Sequence, residues 1–171
     1  AKIRKAELDC AAEHLGVREV VMFDYLDGDV DQAKPDEIIR RIVTEVRRIK
    51  PQVVVTFPPD GIYGHPDHIA LSQFTNAALI CAADGTYPDL VNLPPHRTDK
   101  LYYMVDSADV VAASKESFGG ISMNVDGVTR RHIGWEDWQV TTRLDNHTYM
   151  DVVARAIHCH KSQLPGYGPI A

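Results

Sequence analysis

A chain of 171 residues, 44% hydrophobic and 25% charged, is long enough for one domain with a sizeable core, and its length gives no reason to invoke two. Its formal charge of −6, from 24 acids against 18 bases with no lysine- or arginine-rich run, argues against nucleic acid and for a small molecule as the main partner. No apolar stretch approaches the roughly 18 residues of a membrane span and there is no signal-peptide pattern, so a soluble, cytoplasmic protein is expected.

Leu8, Ala11, Ala12 and Leu15 repeat at helical spacing, and Gly16 stands where a helix C-terminus favours a left-handed residue. "VREVVMFDYLDG" follows as a short apolar run ended by a turn, which reads as a buried strand. Pro35 opens the next helix, whose Ile38, Ile39, Ile42, Val46 and Ile49 form one stripe before Pro51 stops it. The consecutive β-branched residues of "QVVVTF" suit a parallel strand covered on both faces. A further helix carries Ala70, Phe74, Ala77, Ala78 and Cys81 on one side. Beyond residue 84, "DGTYPDLVNLPPHRTDK" is rich in turn residues and "LYYMVD" reads as a strand. Residues 107 to 137 read as a long irregular excursion, and a helix is expected near 147 to 162 with Val153, Ala156, Ile157 and His160 on one stripe. The alternation of helix and strand predicts an α/β fold with a doubly wound, mostly parallel sheet, residues 1–171 forming a single domain.

Cys10, Cys81 and Cys159 cannot all pair with one another and none forms a CxxC, so buried free thiols are the expectation. His158 and His160 flank Cys159, but residues two apart on a helix diverge by about 200°, which argues against a shared metal. "DGDVD" is dense in oxygen donors but lacks the spacing of a calcium loop and reads as a turn. Trp135 and Trp138 in "GWEDW" suit sugar stacking or plain packing equally.

The chemistry concentrates in "DGIYGHPDHIAL", residues 60 to 71. In open α/β sheets ligands bind beyond the carboxyl ends of the strands, and this segment leaves the carboxyl end of "QVVVTF". Pro66 fits the first helical position, which puts His65 near the N-cap and His68 in the first turn. Two imidazoles at that spacing face one small volume, and the helix N-terminus favours negative charge there. An HxxH pair alone leaves two readings open, a partial metal site and histidine capping of a helix, because zinc needs three or four ligands.

"YGHPDH", preceded by "RIKPQVVVTFPPDG", closely resembles the zinc-dependent de-N-acetylases of the LmbE-like, or PIG-L, family. The resemblance extends to "IRKAELDCAAEHLGV", the "DYLDGD" turn, "WQVTTRLD" and the closing "AIHCHKSQ", in the family's order. It implies a Rossmann-like fold, a catalytic Zn2+, and hydrolysis of an amide, usually the N-acetyl group of a glucosamine-containing substrate. Carried over residue by residue, His68 is the zinc ligand. His65 stabilises the tetrahedral oxyanion or protonates the leaving amine, with Asp67 as its tuning partner, and Tyr63 closes over the substrate. Arg4 and Asp27 correspond to substrate-binding positions. The plainer readings are a tyrosine packed on a turn, an arginine paired with Glu7 or Glu45, and a turn aspartate before Gly28. Family members are often oligomeric, so a homo-oligomer is a further expectation.

One family feature has no counterpart here. Members begin with a strand leading into "AHPDDE", which supplies the other zinc ligands and the general base, and nothing in these residues matches it. The chain starts at "AKIRKAEL", after what would be the first βαβ portion, so an N-terminally incomplete domain is expected. The alternative is a non-catalytic sugar- or nucleotide-binding module of the same fold that lacks the base. A dinucleotide-dependent oxidoreductase would need a GxGxxG turn after a first strand, and the sequence has none.

Overall fold

The computed structural model describes residues 2–118, 120, 122–125 and 127–164. They fall into two compact units, one made of the residues up to Asp24 together with those from Thr141 on, the other of Tyr25–Val140. No helix among the described residues is long and apolar enough to cross a membrane.

In the first unit, helix α1 (Lys2–His14) ends as expected. Gly16 is left-handed at φ 67°, and the Val17 amide reaches back to the Ala12 carbonyl at 2.8 Å, so carbonyls of the last turn are satisfied. Ala11 is buried against Ala156 and Cys159 of the last helix (Met150–Cys159), while Leu15 stays exposed because it lies past the helix end. The Glu7 carboxylate is buried in this unit and accepts from the Ser162 amide and hydroxyl, both at 2.7 Å. Those two bonds, with Arg4 and His160 nearby, hold its carboxyl below the usual range. The free-thiol expectation fails for two cysteines: Cys10 and Cys159 form a disulfide, and only Cys81 is free. The partners are 149 residues apart, so no local spacing announces the pair.

The second unit is built on a strand–helix–strand crossover. Helix α2 (Pro35–Ile49) has proline at its start, Asp36 and Glu37 in its first turn, and Arg47 and Arg48 in its last, each charge opposing the local end of the helix dipole. Strand β1 (Val53–Thr56) runs parallel to β2 (Lys100–Tyr103), Val53 opposite Lys100 and Thr56 opposite Tyr103. Between them in sequence lie a single turn, α3 (Gly61–Gly64), and the long helix α4 (Pro66–Ala83). Helices α2 and α4 pack together through Val43, Val46, Ala78 and Ala82, and through Ile38, Ala70 and Phe74. Burying Ile38 and Val43 completely stabilises the pair by about 1.5–3 kcal/mol each. The Arg47 guanidinium is buried at the C-terminus of α4, donating to the carbonyls of Cys81, Ala82 and Asp84 and pairing with Asp89 at 3.0 Å. A buried charge thereby closes a helix end whose carbonyls lack intrahelical partners.

Three sequence expectations are corrected. The run from Val17 to Leu26 is not a strand: among the described residues it has no neighbouring strand to pair with, and Val21 and Met22 are exposed. β1 is not covered on both faces, since Val55 is 62% exposed. The excursion at 107 to 137 is partly regular, containing α5 (Ala108–Phe118) and an antiparallel hairpin of β3 (Ser122–Val125) and β4 (Val128–Arg131). The final helix, α6 (Met150–Cys159), lies within its expected range.

Candidate active site

The carboxyl end of β1 runs into "TFPPDGIYGHPDH", and the backbone there is bent by positive φ angles at Gly61 (67°), Ile62 (71°) and Gly64 (74°). Ile62, at ψ −63°, occupies the strained geometry of a γ-turn, which a β-branched residue adopts only when its surroundings impose it. Asp60 holds the turn from below, accepting from the Ile62 amide at 3.0 Å and from the Trp135 indole at 3.1 Å. A side chain on Gly64 would meet Arg130 Cδ at 2.6 Å, so the β3–β4 hairpin lies directly on this turn, where Arg130 also donates to the Gly64 carbonyl.

The turn brings four rings together. His65 and His68 stack with centroids 4.5 Å apart, Phe57 stacks on the other face of His68 at 3.8 Å, and Tyr63 stands edge-on to both histidines at 5.8 and 5.5 Å. The hydrogen bonds assign the histidine tautomers. His65 is the N-cap of α4, and its Nδ1 accepts from the Asp67 amide at 3.1 Å, which leaves the ring proton on Nε2. His68 Nδ1 lies 3.2 Å from the Gly61 carbonyl, which only accepts, so Nδ1 carries the proton and the Nε2 lone pair is free. Partial burial of His68, then the neighbouring His65, push its pKa below the ordinary 6.5, with the Gly61 carbonyl, Asp67 and Asp27 opposing. A neutral imidazole with one nitrogen tied to a backbone carbonyl and the other free is the form in which histidine binds metal.

Asp67 is only 5% exposed. It accepts from the amides of Gly28 and Val30 at 2.8 and 3.1 Å, fastening the "DGDVD" turn to the start of α4. The hydrogen bond between His65 and Asp67 runs through the Asp67 backbone amide, while the carboxylate bonds the amides of Gly28 and Val30. This docking carries exposed Asp27 to where its charge is felt at His68. The turn thus unites Tyr63, His65, Asp67, His68 and Asp27. Arg4 belongs to the other unit, where it faces Glu7 at 3.8 Å, the plainer pairing foreseen for it. Sequence reasoning missed Phe57, Asp60, Ile62 and Arg130. For Arg130 a signal existed: "NVDGVT" has the Asp-Gly of a tight hairpin between Val125 and Val128.

The donor chemistry at His68 fits one corner of a metal's coordination shell. Among the described residues it is not joined by two more His, Cys, Asp or Glu donors; the one such group of three is Cys10, His14 and Cys159. This chain's described residues supply His68 and hold no complete set around it.

The class defined by fold and turn is an α/β protein with a histidine-bearing loop at the carboxyl end of a parallel strand. A conserved protein from Thermus thermophilus shares the fold, with a TM-score of 0.61 over 98% of this chain and 60% of that one, at 19% identity. The family model for PIG-L, GlcNAc-PI de-N-acetylase, matches residues 1–79, which include the whole histidine turn. Proteins named 1D-myo-inositol 2-acetamido-2-deoxy-alpha-D-glucopyranoside deacetylase are similar over most of the chain. The one from Thermobispora bispora is 32% identical over 141 residues, covering 81% of this chain and 46% of its own length. That from Rhodococcus jostii is 35% identical over 136 residues, covering 77% and 45%. The chain belongs to the PIG-L family of de-N-acetylases, and spans less than half the length of these curated relatives.

Proposed function

We propose that the protein takes part in zinc-dependent hydrolysis of the N-acetyl amide of a glucosamine-containing small molecule, releasing acetate and a free amine. The observation that carries this reading is the opposite tautomers of the stacked histidines: His68 offers a bare Nε2 and His65 an Nε2–H. His68 would hold the zinc, which when bound supplies Lewis-acid polarisation of the carbonyl and a more acidic water. His65 donates its Nε2–H to the amide oxygen as negative charge develops there, an oxyanion role that its N-cap bond pre-sets. The same bond disfavours protonating the leaving amine, because a neutral ring that gives up its only N–H becomes an anion. The α4 N-terminus adds a favourable field for the oxyanion. Tyr63, edge-on to both rings, closes the site against water, and Asp27 binds a sugar hydroxyl from the docked turn. Arg4 has a weaker claim as a substrate residue, resting on its match in "IRKAEL".

Metal content and acetate release, measured on the same preparations with the relatives' named substrate, test the assignment. His68→Ala is expected to lose the metal and the activity. His65→Ala should keep the metal and lose about 10²–10³ in kcat, the scale of one oxyanion donor. Equal metal loss in both variants would make both rings ligands. A wild-type protein that binds the sugar without zinc and releases no acetate would establish the non-catalytic module instead.

A further inference from the structure

Helix α1 places Cys10 and His14 four residues apart, one above the other on the same face, and α6 ends on Cys159 against them. One ligand atom from each of the three lies within 4.8 Å of the others. A disulfide needs no imidazole, yet His14 stands beside it, and among the described residues no hydrogen bond, ion pair or ring contact engages that ring. The cluster opens on a cleft of about 550 Å³ within this unit, whose lining also includes Glu7, Arg155, His158 and Lys161.

We propose that Cys10, His14 and Cys159 form a metal site for zinc or another thiophilic divalent cation, in the unit that does not contain His68, and that the disulfide and the metal are mutually exclusive occupants. A dithiol reductant delivers two electrons and two protons to the Sγ–Sγ bond, giving two thiols and the reductant's own disulfide. Binding of the cation then displaces both thiol protons, so two thiolates, one neutral imidazole and a divalent ion leave the site without net charge. Two sulfurs at about 2.3 Å from a tetrahedral metal stand about 3.8 Å apart, a spread that side-chain rotation supplies at the observed Cα separation of 5.8 Å. The cleft leaves the fourth position to water or a small anion. A two-cysteine, one-histidine set is a known zinc donor set, whereas the site at His68 contains no sulfur.

That difference makes the test specific. The protein is reduced with a removable phosphine, then titrated anaerobically with Co2+ while thiolate-to-cobalt charge transfer is followed in the near ultraviolet. One equivalent should develop the band in the reduced protein and none in the oxidised protein. Cys10→Ser and Cys159→Ser should abolish it, whereas Cys81→Ser, which removes the free cysteine, should leave it intact. His14→Ala, at an exposed position that folding tolerates, should weaken Co2+ binding at least about tenfold, the loss already typical of disturbing an outer-shell partner. No band after reduction, a band of equal strength in the oxidised protein or in Cys10→Ser, or unchanged affinity in His14→Ala would each overturn the proposal.

Discussion

Replacing Asp67 with asparagine removes a charge from a buried position with almost no change of shape. Two backbone amides, those of Gly28 and Val30, donate to this carboxylate at 2.8 and 3.1 Å. Asparagine keeps one acceptor oxygen, but its NH2 group faces the second amide, donor against donor. A hydrogen bond to a charged group contributes about 1.5–3 kcal/mol, and water reaching exposed Gly28 partly relieves the orphaned donor, so a loss of about 2–3 kcal/mol is expected. At about 2–4 °C per kcal/mol for a chain of this size, the melting temperature should fall by roughly 4–12 °C. Asp67→Ala, which frees both amides, should cost more. Denaturation of the two variants measures the loss, and hydrogen exchange locates it: the Gly28 and Val30 amides should exchange faster, with the α2–α4 core unchanged. The His65 N-cap bond uses the Asp67 backbone amide, so it should survive both substitutions. A change below about 0.5 kcal/mol, the scale of an ordinary surface substitution, with unaltered exchange at both amides would refute the assignment of Asp67 as the anchor of the turn.

Gly64→Ala should destabilise by about 1–2 kcal/mol from its left-handed backbone, and more from the collision with Arg130, so the double variant with Arg130→Ala should recover part of the loss in thermal melts. His68 should make stability pH-dependent: its folded pKa is depressed, the folded state binds fewer protons than the unfolded one, and the contribution present above 6.5 is lost as pH falls through the folded value. In metal-free protein, His68→Gln should therefore show a smaller stability difference between about pH 7.5 and about pH 5 than the wild type, and an identical difference would remove His68 as the source.

The parts of the fold legible in the sequence are those whose cause is local. Proline at the start of α2, Gly16 after α1 and the Ala70, Phe74, Ala78 stripe of α4 act within a turn or two of helix, and all three stand as expected. Strand identity is set by a partner, and partners are remote. "VREVVMF" has the composition of a strand but no neighbour among the described residues, whereas "QVVVTF" finds β2 across the α4 crossover. The hairpin at 122–131 was hidden for another reason. Its strands are short and largely polar, and its Asp-Gly signal lies in a segment without a clear apolar period. Buried Arg47 illustrates the limit for charges, since its partners at the end of α4 and at Asp89 lie 34 to 42 residues away and no i, i+4 pattern points to them.

The candidate site divides along the same line, but with a consequence for chemistry. Four residues of sequence, "HPDH", contain more than proximity. Proline at the first helical position makes the preceding histidine the N-cap, and an N-cap side chain must accept from the first-turn amides. Acceptance at Nδ1 fixes the proton of His65 on Nε2. His68 lies inside the helix and has no such duty, so its tautomer is set by whatever faces it. Here that is the carbonyl of Gly61, delivered by a backbone bent through three positive-φ positions within four residues, and a carbonyl forces the opposite tautomer. One half of the donor and acceptor pair therefore follows from the spelling of the motif, and the other half requires the strained turn that precedes it. A family member that kept "HPDH" but straightened residues 61 to 64 would retain the hydrogen-bond donor of His65 and lose the fixed lone pair of His68. The strain stored at Ile62 is the physical cost of keeping both.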